Sequence, residues 1–113
     1  MVETINIDWD GKSGKEYRYR IYQIGTTFSK NPGNYIFAKE VKPSEWSPVY
    51  IGQTGDLSEN FNDHPKMPCI IKRGGTHIHI HISSENEDVR LAEEKDLALR
   101  WHPACNIDYY SDF

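Results

Sequence analysis

Residues 34–41 read Asn-Tyr-Ile-Phe-Ala-Lys-Glu-Val, and this run of aromatic and β-branched side chains predicts a β-strand. A loop ending in Pro-Gly precedes the run, and two prolines within residues 43–48 interrupt it. Residues 49–52, Val-Tyr-Ile-Gly, then restart an extended segment. Two such segments around a short break predict an antiparallel pair of strands.

Alternating patterns predict further strands on both sides of this pair. Apolar and polar residues alternate over residues 5–9 and again over 17–21, with two glycine-containing turn signals between them. We therefore expect an N-terminal β-hairpin. Residues 76–82 alternate strictly between histidine and isoleucine after the initial threonine. This pattern predicts a third core strand with one apolar face and one polar, wet face.

A short helix is expected directly after the second strand. Thr54 is a suitable cap for its first turn, and Leu57, Phe61 and His64 recur on one helical face. Pro65 opens a proline-rich stretch that ends the helix.

A longer helix is expected in the C-terminal third. Ser84 and Glu87 have capping-box spacing, and Pro103 ends the run. The apolar stripe consists of Leu91, Ala98 and Trp101. Glu94 lies on this stripe, so its carboxylate should face the sheet and require a cation or hydrogen-bond donors. The neighbouring Glu93 is expected on the polar side.

Together these elements predict an α+β fold. Its small, mostly antiparallel central sheet of about three strands is flanked by helices and carries the N-terminal hairpin at one edge. The 113 residues suit one domain with one core. Within it we expect residues 1–30 to form the hairpin extension and residues 33–106 the core.

Charge and composition narrow the functional classes. The net charge of −4 argues against electrostatic binding of phosphate backbones over a broad surface, so any nucleic-acid contact must use a local basic patch. We found neither a signal-like N-terminus nor an apolar run long enough to span a membrane, which predicts a cytoplasmic protein without membrane partners. Cys69 and Cys105 lack a zinc or disulfide-framework pattern and are expected to be reduced.

Several residues occur in the order and spacing of a known nuclease family. Gly33-Asn34-Tyr35 and Tyr50-Ile51-Gly52 lie in the two adjacent strands, and Glu94 is followed three, nine and twelve residues later by Leu97, Pro103 and Asn106. On these residues the segment from Gly33 to Asn106 resembles a GIY-YIG nuclease domain. The resemblance covers about two-thirds of the chain and implies hydrolysis of nucleic-acid phosphodiesters.

The resemblance also implies a role for each matched residue. Tyr35 and Tyr50 would present their phenol oxygens to an attacking water and the scissile phosphate, and Glu94 would hold one Mg²⁺ or Mn²⁺ ion. His64 and Asn106 match further catalytic positions. A hard cation prefers oxygen ligands and keeps several waters, so one carboxylate with substrate phosphate oxygens is a sufficient ligand set.

One matched position departs from the family. Asn60 stands where the family usually has arginine, eight residues after the Tyr-Ile-Gly glycine. Loss of one preorganised donor of this kind typically costs on the order of 3 kcal/mol of transition-state stabilisation. We therefore expect a slow nuclease unless another cation reaches the cleft. The candidates are Lys66, Lys72, Arg73, Arg18 and Arg20.

Two alternatives to a nuclease remain from the sequence. The first is a catalytically silent domain that keeps the nuclease frame for binding nucleic acid or a protein partner. The second is a transition-metal site formed by His77, His79 and His81 on one strand face. A His-hydrophobic-His strand is also similar to that of the HUH endonucleases, for which Tyr109 and Tyr110 are the only candidate nucleophiles we found.

Overall fold

The computed structural model describes residues 5–106 and contains five strands and two α-helices. The strands are β1 (Asn6–Asp10), β2 (Glu16–Gln23), β3 (Gly33–Lys42), β4 (Glu45–Thr54) and β5 (His77–Ile82). The helices are α1 (Met67–Lys72) and α2 (Glu87–Trp101), and single 3₁₀ turns span Phe61–Asp63 and Ala104–Asn106. None of the helices in this part of the chain has the length and apolar character needed to cross a membrane.

All five strands belong to one antiparallel sheet with the order β1-β2-β5-β3-β4. The α+β class and the N-terminal hairpin are confirmed, but the expected number of about three sheet strands is too low. The reason is that β5 hydrogen-bonds to β3 on one side and to β2 on the other. The hairpin therefore extends the central sheet instead of lying beside it.

The expected break between the third and fourth strands is shorter than predicted. Only residues 43 and 44 lie outside the strands, and Ser44 adopts a left-handed conformation with a φ of 65°. Pro48 lies inside β4, next to a register shift between Phe37 and Ala38. A proline is tolerated there because β4 is an edge strand, so one side of it needs no ladder hydrogen bond.

The two faces of the sheet are both covered. One face, which we call the cleft face, carries Tyr35, Phe37, Ile78 and Ile80 together with Met67 and Ile70 of α1. The other, the helix face, carries Trp9, Tyr19, Ile36 and Ile51 and packs against Leu97 of α2. Leu57 and Cys105 complete the cluster on the cleft face.

The histidine side of β5 is only partly exposed: His77 and His81 are half-buried, and the prediction of a wet polar face is wrong at the central His79. His79 is fully buried on the helix face, where the Trp9 indole Nε1–H donates to its Nδ1 over 3.1 Å. Burial lowers the pKa of His79 to about 3, so it stays neutral at physiological pH. The middle of a central strand is covered on both faces, so sequence alternation does not predict which of its residues are exposed there.

The helix expected after β4 does not form there. The Thr54 hydroxyl accepts from the Asp56 amide at 3.1 Å, and the Asp56 carboxylate accepts from the Ser58 amide at 2.8 Å. These short-range bonds stabilise turns instead of a helix. Between β4 and Pro65 the structure has only the 3₁₀ turn Phe61–Asp63. Helix α1 begins at Met67, two residues after this proline, and Pro68 lies in its first turn, where proline is well accommodated.

Helix α2 forms as expected but begins at a different cap. The Asn86 side chain accepts from the Asp88 amide at 2.9 Å, while Ser84 accepts from the Asn86 amide just before the helix. Pro103 follows the left-handed C-cap residue His102 and ends the helix as predicted.

The expected orientation of Glu93 is wrong. Its carboxylate is 6% exposed, accepts from the Tyr19 hydroxyl at 2.7 Å and lies 3.3 Å from Nε2 of His81. Leu91, expected on the buried stripe, is 39% exposed. The buried face of α2 is thus rotated towards polar partners that the hairpin and β5 supply, and these partners cannot be read from helix periodicity.

The two cysteines form a disulfide, which contradicts the expectation that they are reduced. Cys69 of α1 and Cys105 of the last 3₁₀ turn lie 36 residues apart in sequence, with a Cα–Cα distance of 5.9 Å. The bond ties the C-terminal end of the described chain to the cleft face. Sequence spacing alone gave no signal, because a long-range pair depends on the folded path of the chain.

Reduction of this disulfide should lower the free energy of unfolding by about 4 kcal/mol, because opening a crosslink over 36 residues returns loop entropy to the unfolded chain. Urea unfolding with and without dithiothreitol measures the difference. The double variant Cys69→Ala, Cys105→Ala should be insensitive to dithiothreitol. An unchanged wild-type midpoint under reducing conditions would contradict the bond.

Candidate active site

Tyr35 lies at the centre of the candidate site. It follows Gly33 and Asn34 at the start of β3 and pairs across the ladder with Gly52 of β4. A Cβ atom at residue 52 would lie 2.5 Å from the Tyr35 hydroxyl oxygen. Glycine is therefore required at the end of the Tyr-Ile-Gly segment so that the Tyr35 ring can lie across β4.

His64 orients the Tyr35 hydroxyl. The backbone amide of Lys66 donates to His64 Nδ1 at 3.0 Å, so neutral His64 carries its proton on Nε2. This Nε2–H donates to the Tyr35 oxygen at 2.8 Å. The phenolic proton of Tyr35 is consequently left to be donated to another acceptor, such as a phosphate oxygen.

Both members of this pair are neutral near pH 7. Burial lowers the pKa of His64, with a smaller contribution from the Lys66 charge. Burial also raises the pKa of Tyr35 well above its usual value, and the nearby Tyr50 and Glu94 add to this shift. Tyr35 is therefore a hydrogen-bond donor in the absence of a cation, not a phenolate.

Tyr50 joins the pair on the same face of the sheet. Its ring centroid lies 6.3 Å from that of Tyr35 and 5.0 Å from that of His64. The register explains this proximity, because Tyr50 pairs with Phe37, two residues along β3 from Tyr35. The fold thus brings together Tyr35, Tyr50 and His64, three of the candidate site residues selected from the sequence.

Glu94 is a half-buried carboxylate without a compensating partner. It projects from α2, and within residues 5–106 no hydrogen bond or ion pair reaches it. Burial raises its pKa to about 7. Its charge is close enough to Tyr35 to contribute to the pKa shift of that phenol. The expectation that Glu94 faces inward is confirmed, although no donor or cation in the described chain satisfies it.

A cleft of about 490 Å³ opens beside Tyr35 and His64. Gln53 and Thr54 at the end of β4 line it, and the rest of the wall comes from the loop after β4: Glu59, Asn60, Phe61, Asp63 and Pro65. Asn60 lies in this wall, but its side chain caps the 3₁₀ turn by accepting from the Asn62 amide at 3.0 Å. Its amide nitrogen donates to Asp63 at 3.3 Å.

Asn106 lies away from the cleft and clamps β4. Its Oδ1 accepts from the Ile51 amide and its Nδ2 donates to the Ile51 carbonyl, both at 2.8 Å. These two bonds satisfy the backbone N–H and C=O of Ile51, which lies between Tyr50 and Gly52 on the edge strand. Asn106 is therefore placed to hold the Tyr-Ile-Gly segment and not to contact a substrate.

None of the cations expected to replace the missing arginine lines the cleft. Arg18 pairs with Asp8 at 2.9 Å, and Arg20 packs over the Tyr22 ring. Lys72 and Arg73 are exposed around the end of α1. The backbone amide of Lys66 donates to His64, and Lys66 is not part of the cleft wall.

Sequence reasoning missed a different cation, Arg90. Its guanidinium Nε donates to Oε1 of the cleft residue Gln53 at 2.9 Å. Arg90 also precedes Glu94 by one helical turn, so the two side chains emerge from the same side of α2. That spacing from the carboxylate was the only signal in the sequence, and a charge at i, i+4 is usually a solvated surface pair.

The residues around Glu94 are compatible with one hard divalent cation. The carboxylate is unpartnered and half-buried, and the neutral Tyr35 phenol lies within electrostatic range of it. Mg²⁺ or Mn²⁺ bound by one carboxylate and several waters needs no second protein ligand. Groups of three or more acidic, histidine or cysteine side chains suited to a metal are absent from the described residues.

The three histidines of β5 are held by separate partners. His77 contacts the Thr76 hydroxyl, His79 the Trp9 indole, and His81 the Arg18 carbonyl and Glu93. They form no metal-binding group in the described chain. Tyr109 and Tyr110, the candidate nucleophiles of the HUH alternative, lie outside the described residues.

Comparison with known proteins adds no relative. No protein-family model matches the chain, and neither the curated proteins nor the solved structures contain a significant match.

The raised pKa of Glu94 should appear in the pH dependence of stability. The folded state binds a proton at Glu94 more tightly than the unfolded chain does. The stabilising contribution of protonated Glu94 to the free energy of unfolding is therefore fully present below pH 4.5 and is lost as the pH rises through about 7. The unfolding free energy of wild type minus that of Glu94→Gln should fall by at most about 1.4 kcal/mol per pH unit across this window.

Chemical unfolding at pH 5, 6, 7 and 8 measures this difference. Glu87→Gln changes an exposed glutamate of the same helix and serves as the matched control. A wild-type minus Glu94→Gln difference that stays constant with pH would mean that the Glu94 carboxylate is solvated.

Proposed function

We propose that the protein is a divalent-metal-dependent endonuclease that hydrolyses nucleic-acid phosphodiesters in the cleft beside Tyr35. The observation that carries the proposal is the combination of the His64-oriented Tyr35 hydroxyl with the unpartnered Glu94 carboxylate. A carboxylate can hold one metal ion for phosphodiester hydrolysis, and a phenol can donate a hydrogen bond to the phosphate. The resemblance to GIY-YIG nucleases agrees with this assignment.

Each group has a task that follows from its environment. Glu94 would hold the ion when ionised. The ion would supply Lewis-acid polarisation of the phosphate and a more acidic bound water. Tyr35 would donate its phenolic proton to a phosphate oxygen, because His64 already donates to the Tyr35 oxygen. Tyr50 would contact the attacking water or the same phosphate from the adjacent strand.

The substrate contact and the compartment are part of the same proposal. With a net charge of −4, binding to nucleic acid must depend on a few local cations instead of the whole surface. The sequence predicts the cytoplasm. The Cys69–Cys105 disulfide argues against that compartment, because cytoplasmic thiols are usually kept reduced and disulfides persist mainly in oxidising compartments.

Plasmid nicking in Mg²⁺ and Mn²⁺ tests the activity. Wild type should nick slowly, and Glu94→Ala should be inactive because it removes the proposed metal ligand. Asn60→Arg should raise the rate on the order of 10²-fold, since a guanidinium adds a charged donor to the cleft wall. Glu87→Ala, in the same helix, is the matched control and should retain wild-type activity.

The outcomes separate the candidate functions. Nicking that survives Glu94→Ala or persists in EDTA would refute the mechanism. If wild type is inactive and Asn60→Arg gains metal-dependent nicking, the protein is a degenerate nuclease. If both are inactive, binding of nucleic acid at low salt would indicate a silent binding domain, and absence of binding would favour a protein partner.

A further inference from the structure

A buried arginine beside the cleft carries a charge that no described carboxylate neutralises. Arg90 is 5% exposed, and its Nη1 donates to the carbonyl oxygens of Ser84 at 2.9 Å and Glu85 at 3.0 Å. With the Gln53 bond, all three acceptors are neutral. The ion pairs of residues 5–106 do not include Arg90. Burial of a cation is costly unless an anion balances it.

The ends of two strands hold this arginine in place. Asn34 and Gln53 are cross-strand partners on β3 and β4. Gln53 fixes the guanidinium, and the fully buried Asn34 donates from Nδ2 to the Arg90 carbonyl at 2.9 Å. The guanidinium is therefore fixed in one orientation, which leaves only Nη2 without a protein acceptor.

Arg90 lines a hollow of about 320 Å³, and its unused Nη2 is close to Gly55 in the same wall. This nitrogen lies 3.6 Å from the position that a Cβ atom at Gly55 would occupy, and Gly55 and Arg90 both line the hollow. Lys30 contributes a second positive charge to the wall, and Glu85 contributes a negative one. Asp56 is near Lys30, but its carboxylate already accepts from the amide and hydroxyl of Ser58.

The hollow adjoins the cleft through consecutive residues of β4 and the turn after it. Gln53 and Thr54 line the cleft, and Gly55 lines the hollow. A nucleic-acid strand bound with one phosphate at Tyr35 would bring a neighbouring phosphate to this side of the site. A guanidinium with one free donor and an opposing ammonium is suited to a phosphate oxygen.

We propose that Arg90 and Lys30 form a subsite for a phosphodiester of the substrate strand, next to the phosphate bound at Tyr35 and Glu94. The identity of the ligand as a nucleic-acid strand rests on the proposed function. Arg90 lies on α2 and Lys30 in the loop before β3. Together they supply the positive charge that Asn60 does not provide in the cleft wall.

Binding of tetrathymidylate to the ¹⁵N-labelled protein in EDTA tests the subsite without requiring cleavage. The Gly55 amide and the Arg90 Nε–H resonance, identified by its loss in Arg90→Lys, should shift during the titration. Lys30→Gln should weaken binding by roughly 3- to 10-fold and make the slope of log K against log salt shallower by about 0.7, as expected for one lost contact to a single strand. Lys12→Gln, with the same charge change in the hairpin turn, should leave both values unchanged.

Three results would overturn the subsite. The first is a response of other resonances while those of Gly55 and Arg90 remain fixed. The second is an equal loss of affinity in Lys30→Gln and Lys12→Gln. The third is displacement of tetrathymidylate by an equal concentration of inorganic phosphate, which would indicate a site for free phosphate.

The same variants distinguish failure of the subsite from failure of the nuclease. Binding at Gly55 without metal-dependent nicking would keep the subsite and refute the nuclease. Nicking that requires Glu94 but is unaffected in rate and Michaelis constant by Lys30→Gln would keep the nuclease and refute the subsite. Lys30 is exposed, so this variant should retain the wild-type fold even if Arg90→Lys does not.

Discussion

The position of β5 at the centre of the sheet is the constraint on which the rest of the structure depends. It uses both of its edges, one against β2 and one against β3, and both of its faces are covered. The histidines on its helix face must therefore find partners inside the protein. Trp9 and Glu93 provide them, and in doing so they fix the N-terminal hairpin and α2 against the same strand.

Glu93 and Glu94 are adjacent carboxylates that differ in their hydrogen-bond partners. Glu93 has a hydroxyl donor from Tyr19 and an imidazole from His81, so it is part of the polar packing of the helix face. Glu94 has neither, and its pKa rises to about 7. A half-buried carboxylate without a partner is costly for folding, and such groups with shifted pKa values are concentrated at functional sites.

The end of β4 combines packing and site geometry. Gly52 makes room for the Tyr35 ring, Asn106 clamps the preceding residue Ile51, and Gln53 holds Arg90. Asn34, the residue before Tyr35, is bonded to the Arg90 carbonyl. The strand ends around Tyr35 thus also fix the position of a cation on α2.

Local signals in the sequence were sufficient to predict most of the strands and the long helix. Alternation predicted the hairpin and β5, helical spacing predicted α2, and Pro103 predicted the end of that helix, because these patterns depend on backbone periodicity and steric limits. The sequence also selected Tyr35, Tyr50, His64 and Glu94, of which the first three meet directly and Glu94 lies within electrostatic range of Tyr35.

The features that arise where distant segments meet became visible only in the folded protein. These are the five-stranded order of the sheet, the Cys69–Cys105 disulfide, the inward turn of Glu93 and the fixing of Arg90 by Asn34 and Gln53. The sequence also predicted a helix after β4 where turns formed instead, because Thr54 and Asp56 can either cap a helix or stabilise a turn. Burial, pairing and pKa depend on neighbours that are far away in the chain, and a pattern along the sequence contains no information on which of them will be adjacent.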